Sequence, residues 1–529
     1  MDGGATADGG LTRRSLLGRA AVGSAALALG GATPGWARRR PHLVSGGSFK
    51  TGILAGFPSQ RSINLLTRIA EVEGPFGLVE LEVASDPGFA DVVHSERVRV
   101  RSHYDYTARS TIGGLAPGTD YWYRFATKDV DGPVGHFRTR RPPDSQEPVR
   151  IGYFSCQGWQ AGYYTAHAGL AAEDLDLVVS LGDYIYELTD DDGPREDTIG
   201  PNGDGEAQLL SEYRQKYQLY QSDPNLRAMH AAHSFACVWD DHETESGWRG
   251  EHEGETQGRP RRVPFEERIR NGVRAYFEHL PAPRFERERR RVYRAIRLGR
   301  HAELMLLDLH GYGDDYVCGF QIPPQPCPAA DDPSLTLLGA EQKEWLKRRL
   351  SASQATWKVI GSSVMMMSLD FAPGTSFNPG QWDGFTAERR ELMQHVLDEE
   401  IGGVTVVSGD IHTFFAGEVT TTGRVTGTAA ASEFVGGAIS SEGINQGVAE
   451  AAGLPEDTDV SVITGLLAGT NPHFEYLETS RRGYGVLECG PDELKVAFRA
   501  PQSVLVEQSP VETIAEFTVA PDDPTVHQT

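Results

Sequence analysis

The stretch Leu175-Asp176-Leu177-Val178-Val179-Ser180-Leu181-Gly182-Asp183-Tyr184-Ile185-Tyr186 decides how this chain is read. A run of Leu and Val stops at a glycine and a carboxylate, with a phenol three residues further on. Four other segments share this arrangement. Val149–Phe154 ends in Ser155-Cys156, and Phe235–Trp239 ends in Asp240-Asp241-His242-Glu243. Leu304–Leu307 ends in Asp308-Leu309-His310, and Val404–Ser408 ends in Gly409-Asp410-Ile411-His412. Ligands of open α/β sheets bind at the carboxyl ends of the strands. Five strands bringing thiol, carboxylate, phenol and imidazole to one edge therefore point to a metal cluster.

The surrounding pattern fits such a sheet. Helical periodicity is read at Tyr163–Ala172, Phe265–His279, Ala340–Ser353 and Ala387–Glu399. In the third, Trp345, Leu346 and Leu350 oppose Lys343, Lys347 and Arg348, and Thr386 is placed to cap the fourth. Strands alternating with helices predict an α/β domain. Tyr293–Leu298 with Ala302–Asp308, and Tyr484–Glu488 with Leu494–Phe498, read as hairpins, so the sheets are mixed. From about Ser48 to Thr139 the pattern is one of short alternating strands with frequent turns, as in a small β-sandwich. Its Pro117-Gly118-Thr119-x-Tyr121-x-Tyr123 phrase resembles fibronectin type III domains, where such tyrosines pack the corner and the core. Arg140-Arg141-Pro142-Pro143-Asp144 then reads as a linker. The expected division is a β-sandwich over 46–140 and a catalytic domain over 148–520.

Residues 1–37 are set apart from the fold. Thr12-Arg13-Arg14-Ser15-Leu16-Leu17, the small apolar stretch Ala20–Ala32 and a cleavage region over Ala32-Thr33-Pro34-Gly35-Trp36-Ala37 look like a twin-arginine signal. The expectation is a secreted, extracytoplasmic protein that meets the twin-arginine export machinery. No other segment approaches the roughly 20 apolar residues of a spanning helix, so no integral membrane segment is expected in the mature chain. A formal charge of −24 argues against a polyanion such as nucleic acid as partner. A single phosphate held by cations stays open, because a bound ion dominates its local field. Of five cysteines, Cys318 and Cys327 flank a Pro-rich loop and are expected to pair. Cys237 reads as a buried apolar residue, and Cys156 stands among the strand-end motifs. Thr189–Glu206 and Gly247–Pro264 read as surface excursions that either rim the site or are simply solvated. Arg284–Arg300, dense in arginine with alternating glutamate, reads as a solvated face.

At the strand ends, Asp183 and Tyr186 face one side if a helical turn follows Gly182. Asp410 and His412 point the same way if their segment is extended. A carboxylate can bridge two cations, and Asp241 stands beside an imidazole, His242, that can donate a proton. The set suits a two-metal site. Asp308 is equally readable as a structural carboxylate holding His310 or a loop amide.

Together, Ser155-Cys156-Gln157, Gly182-Asp183-Tyr184-Ile185-Tyr186-Glu187, Val238-Trp239-Asp240-Asp241-His242-Glu243 and Ser408-Gly409-Asp410-Ile411-His412 resemble the PhoD-like alkaline phosphatase D family. That family is related to the calcineurin-like metallophosphatases and purple acid phosphatases. Trp357-Lys358-Val359-Ile360-Gly361, Trp382-Asp383-Gly384-Phe385 and Gly483-Tyr484-Gly485-Val486-Leu487-Glu488 extend the resemblance. It implies a four-layer αββα sandwich behind the small β-domain, and hydrolysis of a small phosphoester. It also implies Fe3+ and Ca2+. Cys156, Tyr186 and His412 would hold iron, Asp183 would bridge, and Asp241 and Asp410 would bind calcium. Thiolate, phenolate and imidazole suit Fe3+, and carboxylates suit Ca2+; Zn2+ and Mn2+ remain alternatives. His242 would be the catalytic residue beside the phosphate. Where the family usually has Asp-Thr-Arg-x-Tyr-Arg, this chain has Asp308-Leu309-His310-Gly311-Tyr312-Gly313. Either His310 takes over, or an arginine comes from elsewhere, or the substrate is not an ordinary phosphomonoester. A phospholipase D-like phosphodiesterase acting on a phospholipid, and a secreted binding protein without catalysis, are the alternative functions.

Overall fold

The computed structural model describes residues 43–529 apart from 190–192, 255–258, 286, 287, 289, 320, 322, 456 and 457. The twin-arginine segment therefore lies outside the described residues.

The motif-bearing runs are strands in two large sheets. Val149–Phe154, Leu177–Ser180 and Ser234–Cys237 run parallel in the middle of a ten-stranded sheet. They are buried along nearly their whole length. Strands covered on both faces need no polar alternation, which is why these runs are continuously apolar. Ala302–Leu306, Trp357–Val364 and Val404–Gly409 run parallel in a seven-stranded sheet. Both expected hairpins are present, Arg294–Leu298 with Ala302–Leu306 and Tyr484–Cys489 with Leu494–Pro501.

The two sheets pack face to face. Phe434 of the second sheet meets Phe517 and Phe498 of the first, with ring centroids 5.7 and 6.4 Å apart. Tyr153 donates its hydroxyl to the Phe434 carbonyl at 3.1 Å. Thr165–Ala172 and Pro224–Ala232 cover the first sheet. Ala340–Ala352 and Thr386–Asp398 cover the second through Leu346, Leu350, Leu392 and Val396. The result is the four-layer αββα sandwich.

All four expected helices form, Phe265–His279 with the same bounds. Thr386 opens its helix instead of capping it and donates to the Ala330 carbonyl at 3.0 Å. Leu210–Tyr220, Pro224–Ala232, Asn445–Ala451 and Val460–Thr470 are helices that periodicity did not reveal. One of them had a legible start. Asp223 accepts the amides of Asn225 and Leu226, with Pro224 in the first turn.

The N-terminal strands make a β-sandwich around Val79, Leu81, Val83, Tyr123 and Phe125. Tyr121 accepts the Ala116 amide at 3.0 Å, the corner bond that the Pro-Gly-Thr phrase suggested. One side of this sandwich also extends the large sheet, because Ile53–Gly56 pairs in parallel with Ser234–Cys237. Cys318 and Cys327 form a disulfide, and Cys156, Cys237 and Cys489 are free and buried.

Candidate metal centre

The site lies where the central strands of both sheets end. Cys156, Asp183, Asp410 and His412 all have positive φ, at 55°, 52°, 66° and 56°. Non-glycine residues rarely occupy this left-handed region, and such strain gathers at functional sites. Each of these strands is followed within three residues by such a turn, which directs a side chain into the site. Gly182, with φ 121°, could not be replaced. A Cβ there would lie 2.5 Å from that of Asp240.

Two local expectations are corrected by this geometry. No helix follows Gly182, yet Tyr186 still reaches Asp183, donating its hydroxyl to Oδ2 at 3.1 Å. Nor is Asp410-x-His412 extended. The Ile411 amide bonds the Gly409 carbonyl at 2.8 Å, and the tight turn sends Asp410 and His412 to different partners.

The donor atoms of Cys156, Asp183 and His412 lie within 4.8 Å of one another, and so do those of Asp183, Asp240, Asp241 and Asp410. Asp183 belongs to both groups. The Tyr186 hydroxyl stands 3.1 Å from His412 Nε2 and accepts from Ser441 at 2.9 Å. His412 Nδ1 faces the Glu442 carbonyl, which leaves Nε2 with a lone pair toward the cluster. Burial, followed by the nearby Arg482 charge, lowers its pKa to about 4, so the ring is neutral. Cys156, Asp183, Asp240 and His310 form a buried floor, while Tyr186, Asp241, His242, Asp410 and His412 are half-buried.

As it stands, the charge at this centre is unbalanced. Burial and then Asp240 and Asp241 raise Asp410 to about 7. Burial also pushes up Asp183 and the Cys156 thiol. Asp183 Oδ1, Asp240 Oδ1 and His310 Nε2 are buried with no hydrogen-bond partner. His310 Nδ1 is engaged at 2.8 Å by the Trp248 carbonyl, while Nε2 faces Asp240 Oδ1 at 2.5 Å outside hydrogen-bonding geometry. An unpartnered carboxylate oxygen such as Asp183 Oδ1, in a buried cluster of acids, fits a cation as the missing partner.

All six expected ligands and His242 thus converge, and two further donors join them. Asp240 was legible as half of the Asp-Asp pair. His310 was flagged only as a substitute for arginine. Its neighbour Asp308 is structural, taking Trp239 Nε1 and the Gly311 amide at 2.8 Å each. The carboxylate of Glu243 was not singled out at all. It accepts the amides of Asp183, Tyr184 and Asp240 at 2.8–3.1 Å and so ties two ligand-bearing turns together.

His242 lies on the solvent side. Its ring lies 4.2 Å from that of Tyr186, and Nδ1 bonds Glu187 Oε2 at 2.7 Å. Burial alone would lower its pKa, but the charges of Asp241, Glu187 and Asp183 outweigh that and raise it. The arginine question also has a structural answer. Arg249, fully buried, comes from the Gly247–Pro264 excursion and lies along the arginine-free turn. A Cβ on Gly313 would meet its Cδ at 2.8 Å. It is stacked under Tyr316 at 4.4 Å and donates to the Gly380 carbonyl at 2.9 Å. The opening residues of that excursion, Trp248 to Gly250, therefore form part of the site wall.

A four-layer sandwich with thiol, phenol, imidazole and carboxylates at its strand ends defines the class of the phosphatase-type hydrolases. The PhoD-like phosphatase profile matches residues 151–498, and the profile of that family's N-terminal domain matches 35–141. The chain belongs to the PhoD-like phosphatase family. It is 30% identical over 504 residues to alkaline phosphatase D of Bacillus subtilis (strain 168), covering 90% of this chain and 81% of that protein. A solved structure of PhoD superposes with a TM-score of 0.80 at 26% identity, over 93% of both chains. Purple acid phosphatase PPD1 of yellow lupin (Lupinus luteus) shares the fold at a TM-score of 0.52 and 12% identity, over 91% of this chain and 75% of that one.

Proposed function

We propose that this phosphatase-family hydrolase is an exported, metal-dependent phosphoester hydrolase that leaves the cell by the twin-arginine route. The observation that carries the reading is the meeting of thiol, phenol, imidazole and four carboxylates with orphaned buried lone pairs. Cys156, Tyr186 and His412 would hold Fe3+, Asp183 would bridge, and Asp241 and Asp410, with Asp240, would hold Ca2+; Zn2+ and Mn2+ are the alternatives. When bound, such ions neutralise phosphate oxygens and lower the pKa of water.

The chain's own residues do the rest. His242, held through Nδ1 by Glu187, donates its Nε2 proton to the leaving ester oxygen. Glu243 fixes the spacing of the Asp183 and Asp240 turns. Arg249 supplies the positive charge that the arginine-free turn lacks. With His310 turned toward Asp240 and unavailable as a phosphate grip, a second reading gains support, that of a phosphodiesterase of the phospholipase D-like kind. Chromogenic mono- and diesters assayed before and after chelation test the proposal. The expected result is turnover that chelation abolishes and metal restores, and diester turnover alone selects the second reading. Turnover indifferent to chelation would refute metal dependence.

A further inference from the structure

A second pocket of unbalanced charge lies at the junction of the N-terminal sandwich and the catalytic domain. It is a cleft of about 390 Å³. Four arginines line it: Arg140 from the linker, Arg291 and Arg294 from the arginine-dense stretch, and Arg349 from the helix Ala340–Ala352. Among the described residues, no carboxylate lines it. Arg349 pairs with Glu303, and Arg291 with Glu288 at 3.2 Å. Arg140 and Arg294 are different. Among the described residues, their hydrogen bonds go to backbone carbonyls only: Arg140 to Arg297, and Arg294 to Val292 and Pro283. Arg294 is 8% exposed, and Arg140 Nε is buried without a partner.

Buried guanidinium groups are normally paired, because an uncompensated buried charge is strongly destabilising. Burial lowers Arg140, and burial and then Arg291 bring Arg294 down to about 10; a guanidinium stays charged at neutral pH. Two unmatched positive charges correspond to one phosphomonoester dianion, and the guanidinium fork fits phosphate oxygens in pairs. The remaining walls are aromatic. Phe57 and Phe285 stack on Arg294 at 4.5 and 5.0 Å, and Trp345 lines the same cleft. Such walls suit a flat apolar body joined to the phosphate.

We propose that this cleft binds a dianionic phosphate or phosphonate carrying a planar aromatic group, at a site separate from the metal centre. Phenylphosphonate is a suitable probe, because a phosphoester hydrolase cannot cleave its P–C bond. Calorimetric titration of the metal-loaded protein should show a binding event that is lost in Arg294→Gln. The same event should be about tenfold weaker in Arg291→Ala, which removes a second cleft-lining guanidinium, with circular dichroism as the check that both variants fold. Both variants should keep kcat/KM for a chromogenic ester. Inorganic phosphate should bind the cleft at least tenfold more weakly than phenylphosphonate. Identical isotherms for the three proteins would overturn the site. Equal affinity for inorganic phosphate would overturn the aromatic part of the ligand.

Discussion

The metal centre and the junction cleft are opposites built by one chain. At the strand ends, carboxylates crowd together until burial and mutual repulsion hold Asp410 near neutrality. At the junction, Arg294 is buried and Arg140 half-buried against backbone carbonyls, with no acid to meet them among the described residues. Each arrangement is costly in isolation, and each becomes favourable when a ligand of opposite charge arrives. The two differ in how they are made. The acidic centre uses left-handed backbone at strand ends to bring short side chains together, so a shift of one residue would destroy it. The cationic cleft uses four long arginines from three segments and tolerates looser placement.

This contrast predicts effects of very different size. The largest is expected for Asp183→Ala, which removes the carboxylate shared by both donor groups. Turnover should fall at least about a thousandfold, the scale of metal-ion electrostatics, while circular dichroism stays native; near-full turnover would mean the centre is elsewhere. His242→Ala should cost about a hundredfold or more, as loss of a general acid does, with metal content unchanged. Loss of iron in that variant would make His242 a ligand instead.

A third effect concerns stability and has a definite sign. In metal-free protein, Asp410 holds its proton to about pH 7 when folded and to about pH 4 when unfolded. The folded state then binds more protons, so stability falls as pH rises through this window. Thermal melts of stripped protein should show that slope, and Asp410→Asn should flatten it while raising stability by about 1 kcal/mol at pH 7.5. A slope unchanged by the substitution would break the picture of repelling acids. The smallest effect is expected at the cleft. Without ligand, Arg294→Gln should lower the melting temperature only slightly, since removal of an unpaired buried charge offsets the lost bonds to the Val292 and Pro283 carbonyls. A marked fall would assign Arg294 a structural partner and weaken the contrast.

The acidic centre was largely legible in the sequence because its ligands follow apolar runs at once. What the residues could not disclose was the backbone. Neither a helical turn after Gly182 nor an extended Asp410–His412 segment formed, because left-handed turns did the aiming. Glu243 escaped notice because its role, accepting amides from two separate turns, exists only in three dimensions. Arg249 escaped for a related reason. It lies in a Gly- and Arg-containing excursion that resembles solvated loop, and only contact with the bare Gly313 reveals its place. The cleft was the least legible region, since the alternating charges of Arg284–Arg300 gave no sign that Arg291 and Arg294 turn inward. The helices Leu210–Tyr220 and Val460–Thr470 were missed because neither has a strongly one-sided apolar stripe.

The most direct test of the central claim is the elemental composition of the purified, active protein. Iron near one equivalent per chain together with a divalent ion, both lost in step with activity on chelation and both restored with it, is the predicted result. Fully active protein with no stoichiometric metal would contradict the account.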